Sequence, residues 1–331
     1  MDWSGKKVLV TGAGGFIGSH LVEHLVALGA RVRAFVRYNS RNSYGWIDTF
    51  PDEIRGAMEV FVGDIRDAEK VREASEGIEY IFHLAALIAV PYSYSAVESY
   101  IDTNIRGTLH VLTAARAAGV CRVIHTSTSE VYGAARNFPI REDELPRPQS
   151  PYAASKLAAD MLALSFHRSY DLPVAVIRPF NTYGPRQSAR AIIPTVILQC
   201  LESGNEIALG ATHPTRDFLY VPDAVKGFIR IAESDAAKGE IINIGTGTEI
   251  SIRDVVDRVQ RLCGRQFRIT QSAERFRPEQ SEVERLCADI RRAHELIAWQ
   301  PEVELDEGLR RTFEWFRDHR NYYKSGREYV V

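Results

Sequence analysis

Short apolar segments rich in β-branched residues alternate with amphipathic helical stretches from residue 7 to about residue 179. The strands that this pattern predicts lie at 7–11, 31–36, 58–62, 79–84, 121–127 and 173–178. A helical or loop-plus-helix stretch separates each strand from the next, as parallel strands require. The alternation predicts an α/β fold with a doubly wound parallel sheet.

The pattern changes after Pro179. Residues 181–190 are rich in turn formers, and residues 191–203 are predicted to form a helix. Short strands are predicted at 206–209, 218–221 and 241–244. These shorter elements indicate a second, smaller mixed α/β domain.

We therefore predict a first domain over 1–179 and a second over 180–331, with the chain able to return to the first near 217–247. No low-complexity linker separates the two, so they should pack closely around a cleft. Segment 38–50 is polar and aromatic without a period and is predicted to be a surface loop. Residues 324–331 are predicted to be a frayed tail.

The composition is that of an ordinary globular protein, because 45% of the 331 residues are hydrophobic and 25% are charged. A net charge of −2 provides no overall field for nucleic acid. No apolar run reaches the ~18 residues that span a bilayer, and the N-terminus lacks a secretory signal. The four cysteines lack metal-ligand spacing. We expect a cytoplasmic protein without metal, membrane or nucleic-acid binding.

A glycine-rich loop follows the first predicted strand and precedes a predicted helix. Gly12, Gly15 and Gly18 have GxxGxxG spacing, and the loop also contains Phe16 and Ile17. Glycines allow the backbone to approach a pyrophosphate, whose charge is met by the positive end of the helix. The strand–loop–helix context predicts a Rossmann-like dinucleotide-binding domain.

The end of the second strand distinguishes two dinucleotides. An acidic residue there accepts from the ribose 2′-hydroxyl of NAD, whereas an arginine favours the 2′-phosphate of NADP. This chain has Arg37 and no acid at that point. NADP is therefore favoured, but NAD stays open, because Asn39 or Ser40 could bind an unphosphorylated ribose.

Two further strand ends offer cofactor contacts. Asp64, followed by Ile65, could accept a hydrogen bond from the adenine amine. His83, at the end of the fourth strand, is expected to be structural. It is followed by small or apolar residues that would let the cofactor lie over the sheet edge: Leu84, Ala85 and Ala86.

Tyr152 and Lys156 form a YxxxK pair on a predicted helix, and their spacing places both side chains on one face. A phenol has a pKa of about 10, so it needs a nearby cation and a positive nicotinamide ring to act as a base near neutrality. Lys156 supplies the cation. Together with the glycine loop, the pair indicates redox catalysis at a hydroxyl carbon.

The chain resembles the extended short-chain dehydrogenase/reductases that act on nucleotide sugars, over nearly its whole length. The matching segments are 12–18, Asp64-Ile65, HLAA at 83–86, Asn104 in NIRGT, 126–133, YAASK at 152–156, RPFNTYGPRQ at 178–187, RDFLYV at 216–221 and NIGTG at 243–247. The resemblance implies that Asn104 belongs to the cofactor site.

Within that family, the triplet Thr128-Ser129-Glu130 indicates the chemistry. It resembles the triplet of GDP-mannose dehydratases, whereas 4-epimerases and reductases usually carry small or hydroxyl residues in place of Glu130. The resemblance implies a 4,6-dehydratase in which Thr128 holds the substrate O4, Tyr152 takes its proton and Glu130 removes the C5 hydrogen. Glu130 or a group positioned with Ser129 would protonate the leaving water. The dinucleotide is restored in each turnover and should stay bound.

Three alternatives remain open. The triplet also resembles that of UDP-glucuronate decarboxylases, which need a cation near the substrate carboxylate. The predicted substrate loop 87–95 has no Lys or Arg, although Arg186 could reach it. A 4-epimerase is the second alternative. A non-enzymatic dinucleotide-binding regulator is the third, but such proteins generally lack the pair Tyr152 and Lys156.

The expected substrate is a nucleotide-linked hexose. Segments 37–46 and 86–94 resemble the bacterial LegB-like branch of 4,6-dehydratases, which implies a UDP- or GDP-linked N-acetylglucosamine. The sugar nucleotide is expected to contact Tyr92, Ser93, Thr128, Asn181, Arg186, Arg216 and Arg277. Arginine suits a diphosphate because of its bidentate fork. The alternative for Arg216 is an internal ion pair with Asp217.

The family resemblance also implies a homodimer. Relatives commonly pair two helices per subunit into a four-helix bundle. The candidate helices here lie near 98–118 and 153–170.

Overall fold

The computed structural model describes residues 1–202 and 204–323. Its strands are β1 Lys7–Thr11, β2 Arg31–Arg37, β3 Met58–Gly63, β4 Tyr80–His83, β5 Arg122–Thr126, β6 Val174–Pro179, β7 Asn181–Tyr183, β8 Glu206–Leu209, β9 Thr215–Arg216, β10 Phe218–Tyr220, β11 Ile241–Ile244, β12 Ile250–Ser251, β13 Arg268–Gln271 and β14 Arg285–Leu286. Its α-helices are α1 Phe16–Ala27, α2 Asp52–Gly56, α3 Ala68–Ser75, α4 Val90–Ser93, α5 Val97–Tyr100, α6 Gly107–Ala118, α7 Pro151–Tyr170, α8 Ile192–Leu201, α9 Val221–Glu233, α10 Ile252–Cys263, α11 Arg291–Ile297 and α12 Leu305–Asp318.

Seven parallel strands form the main sheet in the order β11-β6-β5-β4-β1-β2-β3. One apolar core lies between one face of the sheet and helices that include α1 and α9, and a second lies between the other face and α3, α6 and α7. The predicted Rossmann-like α/β fold is confirmed. Each of the six strands predicted before residue 180 agrees with its observed bounds to within one residue.

The chain after β6 builds a smaller unit and also returns to the main sheet. Helices α8, α10 and α12 pack with β8 and β10 in a third apolar cluster. Strand β11 pairs with β6 at the edge of the main sheet, in the region where the sequence allowed a return. The domain boundary itself stays a prediction.

The carboxyl ends of the parallel strands lie at one edge of the main sheet. The glycine loop after β1 and the segments after β2, β4, β5 and β6 therefore meet at this edge, where ligands of doubly wound sheets bind. Within the described ranges, no helix is long and apolar enough to cross a bilayer.

The prediction of a surface loop over 38–50 is wrong for its second half. Residues Gly45–Thr49 form a 3₁₀ helix, and Ile47 and Phe50 are buried. The Trp46 ring packs against Trp315 with a centroid distance of 5.5 Å. Contacts with a helix far along the chain produce no periodic pattern within 38–50, so the sequence did not indicate them. The predicted tail, 324–331, lies outside the described residues.

Candidate active site

The glycine loop packs so closely that side chains are excluded. A Cβ on Gly12, which has a φ of +72°, would lie 2.8 Å from the backbone nitrogen of Ala85, and a Cβ on Gly18 would lie 2.2 Å from the carbonyl oxygen of Gly12. Gly15 is the N-cap residue of α1, and no side chain caps that end of the helix. The loop thus leaves helix N–H groups available to an anion, and it fits a dinucleotide pyrophosphate.

A second segment covers this loop. The backbone nitrogen of Trp46 donates to the carbonyl oxygen of Gly14 over 3.0 Å. A Cβ on Gly14 would lie 2.2 Å from the carbonyl oxygen of Tyr44. This contact was not predicted, because its one trace in the sequence is a glycine at position 14, outside the GxxGxxG spacing.

The ends of β2 and β3 hold the residues predicted to contact the adenosine half. Arg37 and Ser40 are exposed. The Asn39 amide donates to the carbonyl oxygens of Arg37 and Ser43, so it stabilises its own turn. Hydrogen bonding from Arg66 lowers the pKa of Asp64 below its ordinary value. Sequence analysis did not include Arg66.

Asn104 fixes the segment that follows β4. Its Oδ1 accepts from the backbone nitrogen of Leu87 over 2.8 Å, and its Nδ2 donates to the Leu87 carbonyl and to the Ser155 hydroxyl, each over 2.9 Å. These bonds join the segment containing Leu84, Ala85 and Ala86 to α7. Ile65 lies close to Gly107 in the same region. Buried His83 bonds to two threonine hydroxyls, as a structural histidine would.

Tyr152 and Lys156 lie in the first turns of α7. Pro151 begins this helix, and the Ser150 hydroxyl caps it by accepting from the backbone nitrogen of Ala153. Burial raises the pKa of the Tyr152 phenol well above its ordinary value, and a hydrogen bond with Thr128 opposes that shift. Burial lowers the pKa of Lys156 to about 8. The helix therefore presents a neutral phenol beside a lysine that titrates near physiological pH.

Asp160 lies one turn beyond Lys156 and is fully buried. Its carboxylate accepts from the Ser127 hydroxyl over 2.7 Å and from the Arg178 guanidinium over 2.9 Å. Burial opposes ionisation, but His125 and Arg178 together hold the pKa of Asp160 below its ordinary value. Asp160 was not among the residues predicted from the sequence, although its i+4 spacing from Lys156 is a usable signal.

Glu130 lies in a 3₁₀ helix over Ser129–Tyr132, which the Thr128 hydroxyl caps by accepting from the Glu130 backbone nitrogen. Its two carboxylate oxygens lie 3.3 and 3.4 Å from Nη1 of Arg277. Its charge also acts on the Tyr152 phenol. The structure therefore brings Thr128, Glu130 and Tyr152 to one place.

Two arginines and two carboxylates form a charge cluster here, consisting of Glu130, Arg216, Arg277 and Glu282. Arg216 donates to Glu282 over 3.0 Å, and Arg277 lies 4.0 Å from the same carboxylate. The alternative of an ion pair between Arg216 and Asp217 is wrong, because Asp217 instead accepts from backbone nitrogens that include that of Thr246. Glu282 was not among the residues predicted from the sequence.

The other predicted substrate residues lie in different surroundings. Among the described residues, the buried Oδ1 of Asn181 has no hydrogen-bond partner, so it is available to a ligand. Tyr92 is partly exposed and packs on Tyr100, which packs on Tyr152.

Two of the predicted substrate contacts point elsewhere. The Ser93 hydroxyl is fully buried and donates to the Val90 carbonyl, which argues against contact with substrate. Arg186 pairs with Glu23 over 2.5 Å and lies over the Phe50 ring, away from the charge cluster. Nothing in the local sequence distinguishes these internal partners from ligand contacts.

No group of three or more potential metal-ligating side chains occurs within 1–202 and 204–323.

Comparison with known proteins identifies the class. Residues 9–312 match the GDP-mannose 4,6 dehydratase family. The chain therefore belongs to this family of extended short-chain dehydrogenase/reductases, and the resemblance stated from the sequence is confirmed.

The relatives within the family differ in activity. A UDP-glucose 4-epimerase of Mycolicibacterium smegmatis is 36% identical over 94% of this chain and 99% of its own. A dTDP-glucose 4,6-dehydratase of Streptomyces antibioticus is 32% identical over 96% and 94%, respectively. A UDP-N-acetyl-alpha-D-glucosaminuronate decarboxylase of Bacillus cytotoxicus is 33% identical over 96% and 99%.

A solved structure shows the same architecture. The DesIV dTDP-glucose 4,6-dehydratase of Streptomyces venezuelae, a double mutant with NAD and DAU bound, has a TM-score of 0.85 and 30% identity, and the match covers 96% of this chain and 98% of that one. The family thus modifies nucleotide sugars by several related reactions.

The lowered pKa of Lys156 predicts a pH-dependent stability. Between pH 8 and 10.5 the unfolded lysine still binds a proton and the folded one does not. The free energy of unfolding of the wild type, relative to Lys156→Met, should therefore rise with pH across this window by roughly 3 kcal/mol. Denaturant unfolding at both ends of the window measures this, with exposed Lys7→Met as control. Parallel pH profiles for wild type and Lys156→Met would contradict the assignment.

Proposed function

We propose that the protein is a nucleotide-sugar 4,6-dehydratase acting on a UDP- or GDP-linked N-acetylglucosamine. Glu130 carries this proposal, because its backbone nitrogen bonds to the Thr128 hydroxyl and its charge acts on the Tyr152 phenol. Oxidation at C4 and its reversal need the dinucleotide and one acid–base group, the phenol, whereas elimination of water needs a second acid–base group. The product would be the 4-keto-6-deoxy sugar nucleotide.

The proposed cofactor is a nicotinamide dinucleotide held by Gly12, Gly15 and Gly18 and by the uncapped end of α1. When bound, it would supply the hydride acceptor and donor of the reaction. The NAD complex of the related dehydratase supports an NAD-type dinucleotide. Arg37 is the residue that would hold the 2′-phosphate of NADP.

The chain's own groups would move the protons. The charge of Lys156 and that of the nicotinamide ring, when bound, would stabilise the Tyr152 phenolate, which takes the proton of the C4 hydroxyl while Thr128 orients the oxygen. The resulting ketone acidifies the C5 hydrogen, which Glu130 removes. The C6–O bond then breaks, and the protonated Glu130, or a group positioned with Ser129, donates a proton so that water leaves. C6 would regain the hydride, and Tyr152, which still carries the O4 proton, would protonate C5.

The charge cluster supports the proposed substrate. Arg216 and Arg277 are guanidinium groups largely sheltered from solvent. Such groups suit a diphosphate held without metal. The unpartnered Oδ1 of Asn181 lies on β7, which pairs with the strand that follows Arg216.

Two alternatives predict different products. A 4-epimerase would leave the mass of the sugar unchanged, and a decarboxylase would remove carbon dioxide from a uronate. A regulator without activity does not need the buried Tyr152 and Lys156.

The proposed location is the cytoplasm, as predicted from the sequence.

The reaction is tested by incubating purified protein with UDP- and GDP-linked hexoses, N-acetylhexosamines and glucuronate. We expect the N-acetylglucosamine nucleotide to lose the mass of one water, measured by mass spectrometry, and NMR to show a C6 methyl group. Loss of carbon dioxide from glucuronate, or a C4 epimer of equal mass, would contradict the proposal.

Replacing the proposed base should separate oxidation from elimination. Glu130→Gln keeps the size of the side chain but cannot accept the C5 proton. We expect reduced dinucleotide to accumulate, as measured by its absorbance, while the rate of water loss falls by about 100-fold or more. Exposed Glu279→Gln is the matched control, and normal turnover of Glu130→Gln would rule out this role.

We further propose a homodimer through α5, α6 and α7. Apolar side chains on these helices and on the turn that joins α5 to α6 are 39–47% exposed: Val97, Ile101, Leu109 and Met161. A four-helix bundle formed with a second copy would cover them.

Charge at this face should weaken the dimer. Met161→Glu would place a carboxylate in an apolar contact. The apparent mass of this variant, measured by light scattering, should therefore fall toward that of a monomer. Leu145, which is 64% exposed in the loop between β5 and α7, provides the control Leu145→Glu. A monomeric wild type, or an unchanged Met161→Glu dimer, would disprove this interface.

A further inference from the structure

The ion pair between Glu130 and Arg277 is a loose one. A single nitrogen, Nη1 of Arg277, faces both carboxylate oxygens at 3.3 and 3.4 Å. Charge-assisted hydrogen bonds are usually about 2.7–2.9 Å long. Glu282, by comparison, accepts from Arg216 over 3.0 Å. Arg277 therefore holds Glu130 without the short bonds of a permanent structural pair.

The segment that carries Arg277 is fastened to the rest of the site. The Ser281 hydroxyl donates to the Gln149 carbonyl over 2.6 Å and lies 2.6 Å from the Tyr94 hydroxyl. The Gln149 amide donates to the Gln280 carbonyl over 2.7 Å. These bonds fasten the chain three and four residues after Arg277, so a change of partner is expected to involve mainly the side chains of Arg277 and Glu130.

The charges within the cluster already balance. Arg216 and Arg277 carry two positive charges, and Glu130 and Glu282 carry two negative ones. A diphosphate that approaches Arg277 adds negative charge a few ångströms from the Glu130 carboxylate, and both then compete for one guanidinium. Binding of the diphosphate and retention of the Glu130–Arg277 pair should therefore oppose each other.

We propose that Arg277 is shared between Glu130 and the diphosphate, so that nucleotide binding releases Glu130 from Arg277 and frees it to act on the sugar. Arg277 is thus a positioning residue for the base as well as a diphosphate ligand. This inference rests on the proposed function, which assigns both the base and the diphosphate. Because coupling between two sites is reciprocal, removing the charge of Glu130 should strengthen nucleotide binding.

Calorimetry of the full-length protein with its dinucleotide bound measures the binding of UDP, GDP and dTDP. These three nucleoside diphosphates lack the sugar. For the diphosphate that binds, we expect Glu130→Gln to lower the Kd about fivefold or more. The side chain in Glu130→Asp is one methylene shorter, so its carboxylate lies farther from Arg277. This variant should lower the Kd by a smaller factor. Exposed Glu279→Gln controls for the loss of one negative charge and should leave the Kd unchanged.

A double-mutant cycle assigns the effect to Arg277. In an Arg277→Met background, Glu130→Gln should no longer change the Kd, because the shared guanidinium is gone. If Arg277→Met binds the diphosphate too weakly to measure, Arg277→Lys replaces it in the cycle. In that background, Glu130→Gln should lower the Kd by less than it does in the wild type. An unchanged or higher Kd for Glu130→Gln overturns the inference, as does an equal gain in the Arg277→Met or Arg277→Lys background.

These outcomes are independent of the products formed. If Glu130→Gln abolishes loss of water but leaves the Kd unchanged, the proposed function stands and the sharing of Arg277 fails. If the wild type binds none of the three diphosphates, the proposed function itself is contradicted.

Discussion

The buried ion pair between Asp160 and Arg178 is the constraint on which the site depends. A carboxylate inside a protein is stable only when other groups compensate its lost hydration. Here the compensation comes from Ser127, directly after β5, and from Arg178 in β6. The helix that carries Tyr152 and Lys156 is thereby held in one register against two neighbouring strands.

That register brings two chain segments with different chemistry together. The residues after β5 supply Thr128 and Glu130, and α7 supplies Tyr152 and Lys156. Parallel strands end at the same edge, so the glycine loop after β1 lies at this edge as well. A hydroxyl carbon of a sugar held there would have a phenol, a carboxylate and the dinucleotide site within reach.

The related activities of the family use this shared geometry in different ways. Removal of a hydroxyl proton by the phenol is common to epimerisation, decarboxylation and dehydration, because each begins with a ketone at C4. The reactions diverge in what happens next to that ketone. In the proposed reaction, Glu130 is the group that directs this next step, and its contact with Arg277 would couple that step to binding of the diphosphate.

Much of this arrangement could be predicted from the sequence, because it depends on local patterns. The β-branched segments marked the strands, the glycine spacing marked the loop, and the i,i+4 spacing marked Tyr152 and Lys156. The contacts that were missed depend on side chains distant along the chain, such as Trp46 on Trp315. The partners of Ser93 and Arg186 are of the same kind: their residue types suit a ligand, but the fold provides an internal partner.

The central claim is that the phenol and the carboxylate act on the same hexose, so that the hydride taken from C4 returns to C6. Substrate deuterated at C4 tests this most directly, with the position of the label read by NMR of the product. The account predicts deuterium in a new C6 methyl group. Deuterium that remains at C4 in an epimer, or in a pentose that has lost its carboxylate, would contradict it.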